Sequence, residues 1–96
     1  MAQINVNTEQ LLKVASYIDG AGEDVMDYSN TLEQISSNVE IAWKSDSTKL
    51  YVDEMQIVEK NLKKLSGEAS QLAGAIRNYV AEIKRIEQEN AQKFNN

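Results

Sequence analysis

Apolar residues along this chain fall into rows spaced seven apart. In the first half Leu11, Ile18, Val25, Leu32 and Val39 form one row, and Val14, Ala21, Tyr28, Ile35 and Ala42 form a second, three residues behind. Apolar side chains at this a/d spacing share one stripe of an α-helix, the pattern of a helix that packs lengthwise against another. The start is also marked. Asn7 suits an N-cap, Gln10 stands where it can reach back, and Val6 and Leu11 occupy hydrophobic-staple positions. Glu9 in the first turn complements the helix dipole. The pattern predicts a helix over residues 8–43, about 54 Å long at 1.5 Å per residue.

The stripe breaks at Trp43-Lys44-Ser45-Asp46-Ser47, where Ser and Asp favour caps and turns. Beyond it Tyr51, Val58, Leu65, Leu72, Tyr79 and Ile86 make one row, and Met55, Leu62, Ala69, Ile76 and Ile83 the other. These predict a second helix over residues 47–93, about 70 Å long, with the tail at 92–96 expected to fray. So short a turn, at residues 43–46, brings the helices back antiparallel. Residues 1–96 thus read as one all-α domain, a two-helix hairpin.

Two helices with one seam each bury little surface for so many ordered residues. Further apolar residues, Leu12, Met26, Ile41, Leu50, Val52, Ile57 and Val80, lie off the seam. Packing two hairpins into a four-helix bundle covers the surplus, so a dimer is expected. Its helix-packing and dimer seam comprises Leu11, Val14, Ile18, Val25, Leu32, Ile35 and Val39 on the first helix. On the second it comprises Met55, Val58, Leu62, Leu65, Leu72, Ile76, Tyr79 and Ile83.

Small residues form a further pattern. Ala15, Gly22, Ser29 and Ser36 repeat at heptad spacing, and Ser66, Gly67, Ser70, Ala73 and Gly74 cluster on the second helix. Folding about residue 45 sets residue i near 90 − i, so Gly20, Ala21 and Gly22 face that cluster. This reads either as a close waist or dimer crossing point, or as ordinary tolerance of small residues on a helix surface.

Composition agrees with helix: no Pro and four Gly in 96 residues. The absence of Cys and His removes disulfides, thiolate and Ser–His nucleophiles, and the usual zinc, copper and iron–sulfur ligands. The acidic balance, net charge −5, disfavours nucleic acid and adsorption on anionic lipid. Charges interrupt every apolar stretch, so no membrane span is expected, and the N-terminus lacks the features of a signal peptide. The acidic pairs Glu23-Asp24 and Asp53-Glu54 lie off the seam rows, where solvated charge needs no catalytic role. No enzyme activity, metal or cofactor is expected.

Residues 8–43 hold seven carboxylates against the single Lys13, while residues 46–96 are balanced. Lys60, Lys63 and Lys64 fall opposite Asp24 and Asp27 in the folded hairpin. The plainer account of that match is pairing along the rim of the seam; the sharper one is selection of a partner by charge.

The single Trp is nearly central, and its neighbours carry a recognisable spacing. Trp43, Ser45, Ser47 and Tyr51 resemble the pattern Trp-x-Gly, with a small residue two further on and an aromatic eight after the Trp. With the length and the two flanking helices, the chain resembles the WXG family, the early-secretory-antigenic-target-like substrates of type VII secretion. The resemblance spans the whole chain. It departs in two places: Ser45 replaces the motif Gly, and the export signal Tyr-x-x-x-Asp/Glu is imperfect. Four residues after Tyr79 stands Ile83, with Glu82 at three. Tyr79 also lies in a seam row, which points to a core role.

The resemblance implies a small protein exported without processing by a membrane secretion ATPase. It would act as a dimer, with itself or with a related helical hairpin, as substrate or as targeting partner of a larger secreted effector. Trp43, Ser45 and residues 79–89 are then the elements of a recognition surface. The competing readings are a cytoplasmic helical adaptor, in which Trp43 merely plugs the turn, and a hairpin that opens to insert in membranes.

Overall fold

The computed structural model describes residues 6–95, with side-chain surroundings for residues 6–93. Helix α1 spans Thr8–Ala42, helix α2 spans Asp46–Asn95, and Trp43, Lys44 and Ser45 join them. At the start of α1, Asn7 is extended and its side-chain oxygen accepts the backbone N–H of Gln10 at 3.0 Å. The cap therefore uses the Gln10 backbone. The last turn of α2, expected to fray, is helical through Asn95, and Asn96 lies outside the described residues.

Pairings that climb on one helix as they descend on the other make the hairpin antiparallel: Asp19 with Arg77, Gly22 with Ser66, Ser29 with Glu59. The molecule is a rod of 78 × 18 × 16 Å. Its length is that of α2, about 75 Å for 50 residues. Helix α1, with 35 residues, covers only part of it.

The helices meet along rows that differ in part from the expected ones. On α1 the rows are Leu11, Ile18, Val25, Leu32, Val39 and, beside it, Ala15, Gly22, Ser29, Ser36, the second row fully buried. On α2 they are Met55, Leu62, Ala69, Ile76, Ile83 and the row Val52, Glu59, Ser66, Ala73, Val80. Val52 and Val80, placed off the seam from the sequence, belong to the core at 4% and 2% exposure. Conversely, the expected row of Val14, Ala21, Tyr28, Ile35 and Ala42 is exposed, apart from half-buried Val14. The expected row of Tyr51, Val58, Leu65, Leu72, Tyr79 and Ile86 is likewise exposed, apart from half-buried Ile86.

Close approach explains the exchange. A Cβ at Gly22 would stand 3.1 Å from the Ala69 Cβ and 3.4 Å from the Ser66 carbonyl oxygen, so the backbones meet where a side chain has no room. Gly20, Gly67 and Gly74 have nothing within 4 Å of such a Cβ and contribute no close contact. The α1 small-residue row is thus the waist of the hairpin itself.

That waist is also polar. Ser66 Oγ donates to the Gly22 carbonyl at 2.8 Å, and Ser29 Oγ to the Glu59 carbonyl at 3.0 Å. Ser36 Oγ donates to the Glu59 carboxylate at 2.9 Å, with Met55 Sδ also within reach at 3.3 Å. Each such bond contributes about 1 kcal/mol net, and its larger effect is to hold the register, because an unpaired buried polar group costs more than that. Small side chains bring little hydrophobic stabilisation of their own. A second set of large apolar groups, outside these rows, stays exposed.

Candidate interaction face and Trp turn

The hairpin has two unlike long sides. On one side α1 presents Leu12, Asp19, Met26, Glu33 and Glu40, and α2 presents Lys49, Gln56, Lys63, Ser70, Arg77 and Lys84. Asp19 pairs with Arg77, and Glu33 lies 4.0 Å from Lys63, so this side is laced by opposite charge. Lys63 therefore meets Glu33, not the Asp24 or Asp27 expected from folding about residue 45. Asp24 and Asp27 occupy rows of α1 that point away from this side, whereas Glu33 lies in the row that faces it.

The other side carries no such lacing. Tyr28 and Ile35 of α1 stand beside Tyr51, Val58, Leu65, Leu72 and Tyr79 of α2, each of the seven between 46% and 64% exposed. From residue 51 to 79 this face runs about 42 Å along the helix axis. Tyr79 thus lies outside the hairpin core, contrary to the core role expected from its place in a seam row. Contiguous exposed apolar surface of this length is characteristic of interaction sites.

At one end of the face is the Trp turn. Trp43 adopts an extended backbone, and its N–H donates to the Val39 carbonyl at 2.9 Å, ending α1. Thr48 then ties the turn to α2. Its hydroxyl donates to the Trp43 carbonyl at 2.8 Å and accepts the Ser45 N–H at 3.1 Å, while its own N–H donates to the Ser45 carbonyl at 3.1 Å. The Thr48 side chain thus supplies the reach-back half of a capping box, with Thr in place of the usual Glu or Gln. Ser47 joins through its hydroxyl, 3.5 Å from that of Ser45. Thr48 was missed in the sequence, although the Ser-x-x-Thr spacing carries the signal.

The Trp43 ring stacks on Tyr51 with centroids 5.3 Å apart and planes at 27°. Of the four motif positions, Trp43 and Tyr51 are therefore in contact, and Ser45 and Ser47 shape the cap between them. Trp43 remains 43% exposed. It lines a 410 Å³ groove with Glu40, Thr48, Lys49 and Val52.

This arrangement can be set against known proteins. The sequence matches the family model WXG100, described as proteins of 100 residues with WXG, over residues 3–88. The chain belongs to the WXG100 family. No match was found among curated proteins or among solved structures. Within this WXG100 chain, Ser at the motif Gly has a structural account. No described residue has positive φ, so the turn does not require glycine, and the Ser45 hydroxyl adds only contacts with the Thr48 and Ser47 hydroxyls.

Near the other end of the rod, Arg85 bridges Glu82 and Glu89 on the surface of α2. The hydrogen bond and the charge of Arg85 hold the Glu82 carboxyl below its ordinary value, and Glu82 raises the Arg85 guanidinium in turn. Glu82 is thereby committed to a neighbour on its own helix. Among the described residues, no helix is long and apolar enough to cross a membrane.

Proposed function

We propose that this WXG100 protein is a small export substrate, or the targeting partner of one, carried by a type VII secretion system with its membrane ATPase. It acts by helix-to-helix association, not catalysis. The observation that carries this reading is the unpartnered apolar face of about 42 Å ending in the Trp43–Tyr51 stack. Family membership supports it. In the proposed complex a second helical hairpin covers the apolar face to make a four-helix bundle, and the exposed Trp43 ring remains at the end of the rod as part of the recognition surface.

The experiment is detection of the chain in culture supernatant from cells with and without the secretion ATPase. Export that requires the ATPase is expected. Retention in cells with the intact system and its co-expressed partners would leave the cytoplasmic adaptor as the better reading. Trp43→Ala separates the roles of the ring. It is expected to leave association intact and to lower export severalfold; export at the wild-type rate would remove Trp43 from recognition.

A further inference from the structure

On each helix the exposed apolar row and the buried small row flank the same middle row. Around α1 the order runs from the row of Tyr28 and Ile35, through that of Ile18, Val25 and Leu32, to that of Gly22, Ser29 and Ser36. Around α2 it runs from Val58, Leu65 and Leu72, through Met55, Leu62 and Ala69, to Glu59, Ser66 and Ala73. Neighbouring rows of a seven-residue repeat are about 51° apart around the helix axis. The middle rows lie in the present contact and also border the exposed rows.

Both exposed rows lie on the same side of the rod. Turning the helices in opposite senses by one row therefore carries both into the seam together, as meshed gears turn. The middle rows stay in contact and the small rows leave. With residue i near 90 − i, Ile18, Val25 and Leu32 come level with Leu72, Leu65 and Val58, and Tyr28 and Ile35 with Leu62 and Met55. This second packing needs no slip along the axes and no change in the length of the turn.

The rotation gives up the close approach of Gly22 to Ala69, the hydrogen bonds donated by Ser29, Ser36 and Ser66, and the ion pairs of Asp19 with Arg77 and Glu33 with Lys63. The groups released turn towards water, so none is left buried and unpaired, and the Glu59 carboxylate regains its hydration. In return the seven large residues of the apolar face, now about half-exposed, are withdrawn from water. Their bulk holds the axes further apart, as larger side chains at a helix contact do. We propose that the hairpin is a two-position device. Counter-rotation of α1 and α2 by one row closes the apolar face on itself, and the return presents it. Gly22 and Ser66 set the balance, because a large side chain at either position fits the second packing and not the first.

The chain has no Cys, so single introduced thiols report the two positions. Tyr28 and Ser29 are adjacent, with 64% and 0% exposure, and so are Leu72 and Ala73, with 53% and 0%. The variants Tyr28→Cys, Ser29→Cys, Leu72→Cys and Ala73→Cys are each labelled with a maleimide in dilute solution. In the otherwise unchanged chain, the thiols at 28 and 72 are expected to react at least tenfold faster than those at 29 and 73. Adding Gly22→Leu is expected to reverse both orders, with helicity retained.

Orders that stay as they were overturn the proposal. So does fast reaction of all four thiols, which means that the hairpin has opened instead of turning. Reversal on one helix alone overturns it as well, since meshed rows turn together. Ser66→Leu blocks the waist from α2 and covers the case in which Gly22→Leu does not fold. It is expected to give the same double reversal, and unreversed orders in that variant again overturn the proposal.

Discussion

The two long sides of the rod are made from neighbouring rows of the same two helices, yet they do opposite things. On the charged side Asp19 with Arg77 and Glu33 with Lys63 join α1 to α2 across the waist. On the apolar side Tyr28, Ile35, Val58, Leu65 and Leu72 are left about half-exposed. Between them lies a waist built from Ala15, Gly22, Ser29 and Ser36, too narrow to absorb large side chains. The difference teaches that close approach and hydrogen bonds fix which rows of this hairpin meet, and that a second set of large apolar groups stays outside that contact.

The most severe way to break this contrast is to spoil the apolar side alone. Leu65→Glu with Leu72→Glu should weaken association by two decades or more, since covering two half-exposed leucines is worth roughly 3 kcal/mol. Light scattering over a concentration range reads the loss. Helicity at high dilution, where even the wild-type chain is unpaired, should be unchanged. A dimer that persisted in the double variant would show that the apolar side is not the interface.

Next in size is the waist. Gly22→Leu forces a side chain into a site where even a Cβ meets Ala69 at 3.1 Å, and overpacking of this kind costs about 1–3 kcal/mol. Gly20→Ala, two residues away with open space around it, should instead stabilise α1 by about 0.5–1 kcal/mol. Thermal unfolding of the pair of variants tests both directions. Equal effects would mean that the helices do not approach closely at Gly22.

The charged side should matter less. Arg77→Ala removes a partly exposed ion pair, and such pairs contribute about 0.2–1 kcal/mol, less in high salt. Unfolding in urea at two salt concentrations measures it, and association should be unaffected. An effect on association as large as that of the leucine variants would abolish the distinction between the sides.

The smallest expected effect is at Glu82. Its carboxyl is held below the ordinary 4.5 by the hydrogen bond and charge of Arg85. A group whose folded value is depressed adds stability that is present above its ordinary value and is lost as pH falls through the depressed one. The bridge should therefore open in acid, below pH 4.5, and not near neutrality. Arg85→Ala should return Glu82 towards its ordinary value in an NMR titration of the carboxyl. An unchanged titration would dismiss the bridge as a feature of α2.

Much of this molecule was legible from spacing. Heptad repetition placed both helices, Asn7 marked the first start, and the Ser and Asp residues after Trp43 marked the turn. The choice of rows was not legible. The a/d reading took the two largest apolar rows of each helix as one seam, because hydrophobicity ranks Tyr28 and Ile35 above Ser29 and Ser36. Both choices have the same seven-residue period, so periodicity does not discriminate between them. The small-residue row was visible as a repeat, but whether it faced α2, a second copy or water depends on how closely the backbones come together. Glu59 was invisible for a related reason: a buried carboxylate in a packing row is legible only once Ser36 is seen opposite it.

The sequence by itself determined that the chain is two long amphipathic helices reversing near Trp43, because helical period, caps and turn residues are local properties. It also determined that the apolar groups exceed what a single hairpin can cover. Only the tertiary structure decided which rows meet. Backbone approach at Gly22 selects the small polar rows for the waist, and that choice turns Tyr51, Val58, Leu65, Leu72 and Tyr79 outward beside the stacked Trp43. Which face a helix shows to its neighbour is set by the neighbour's shape as much as by its own pattern.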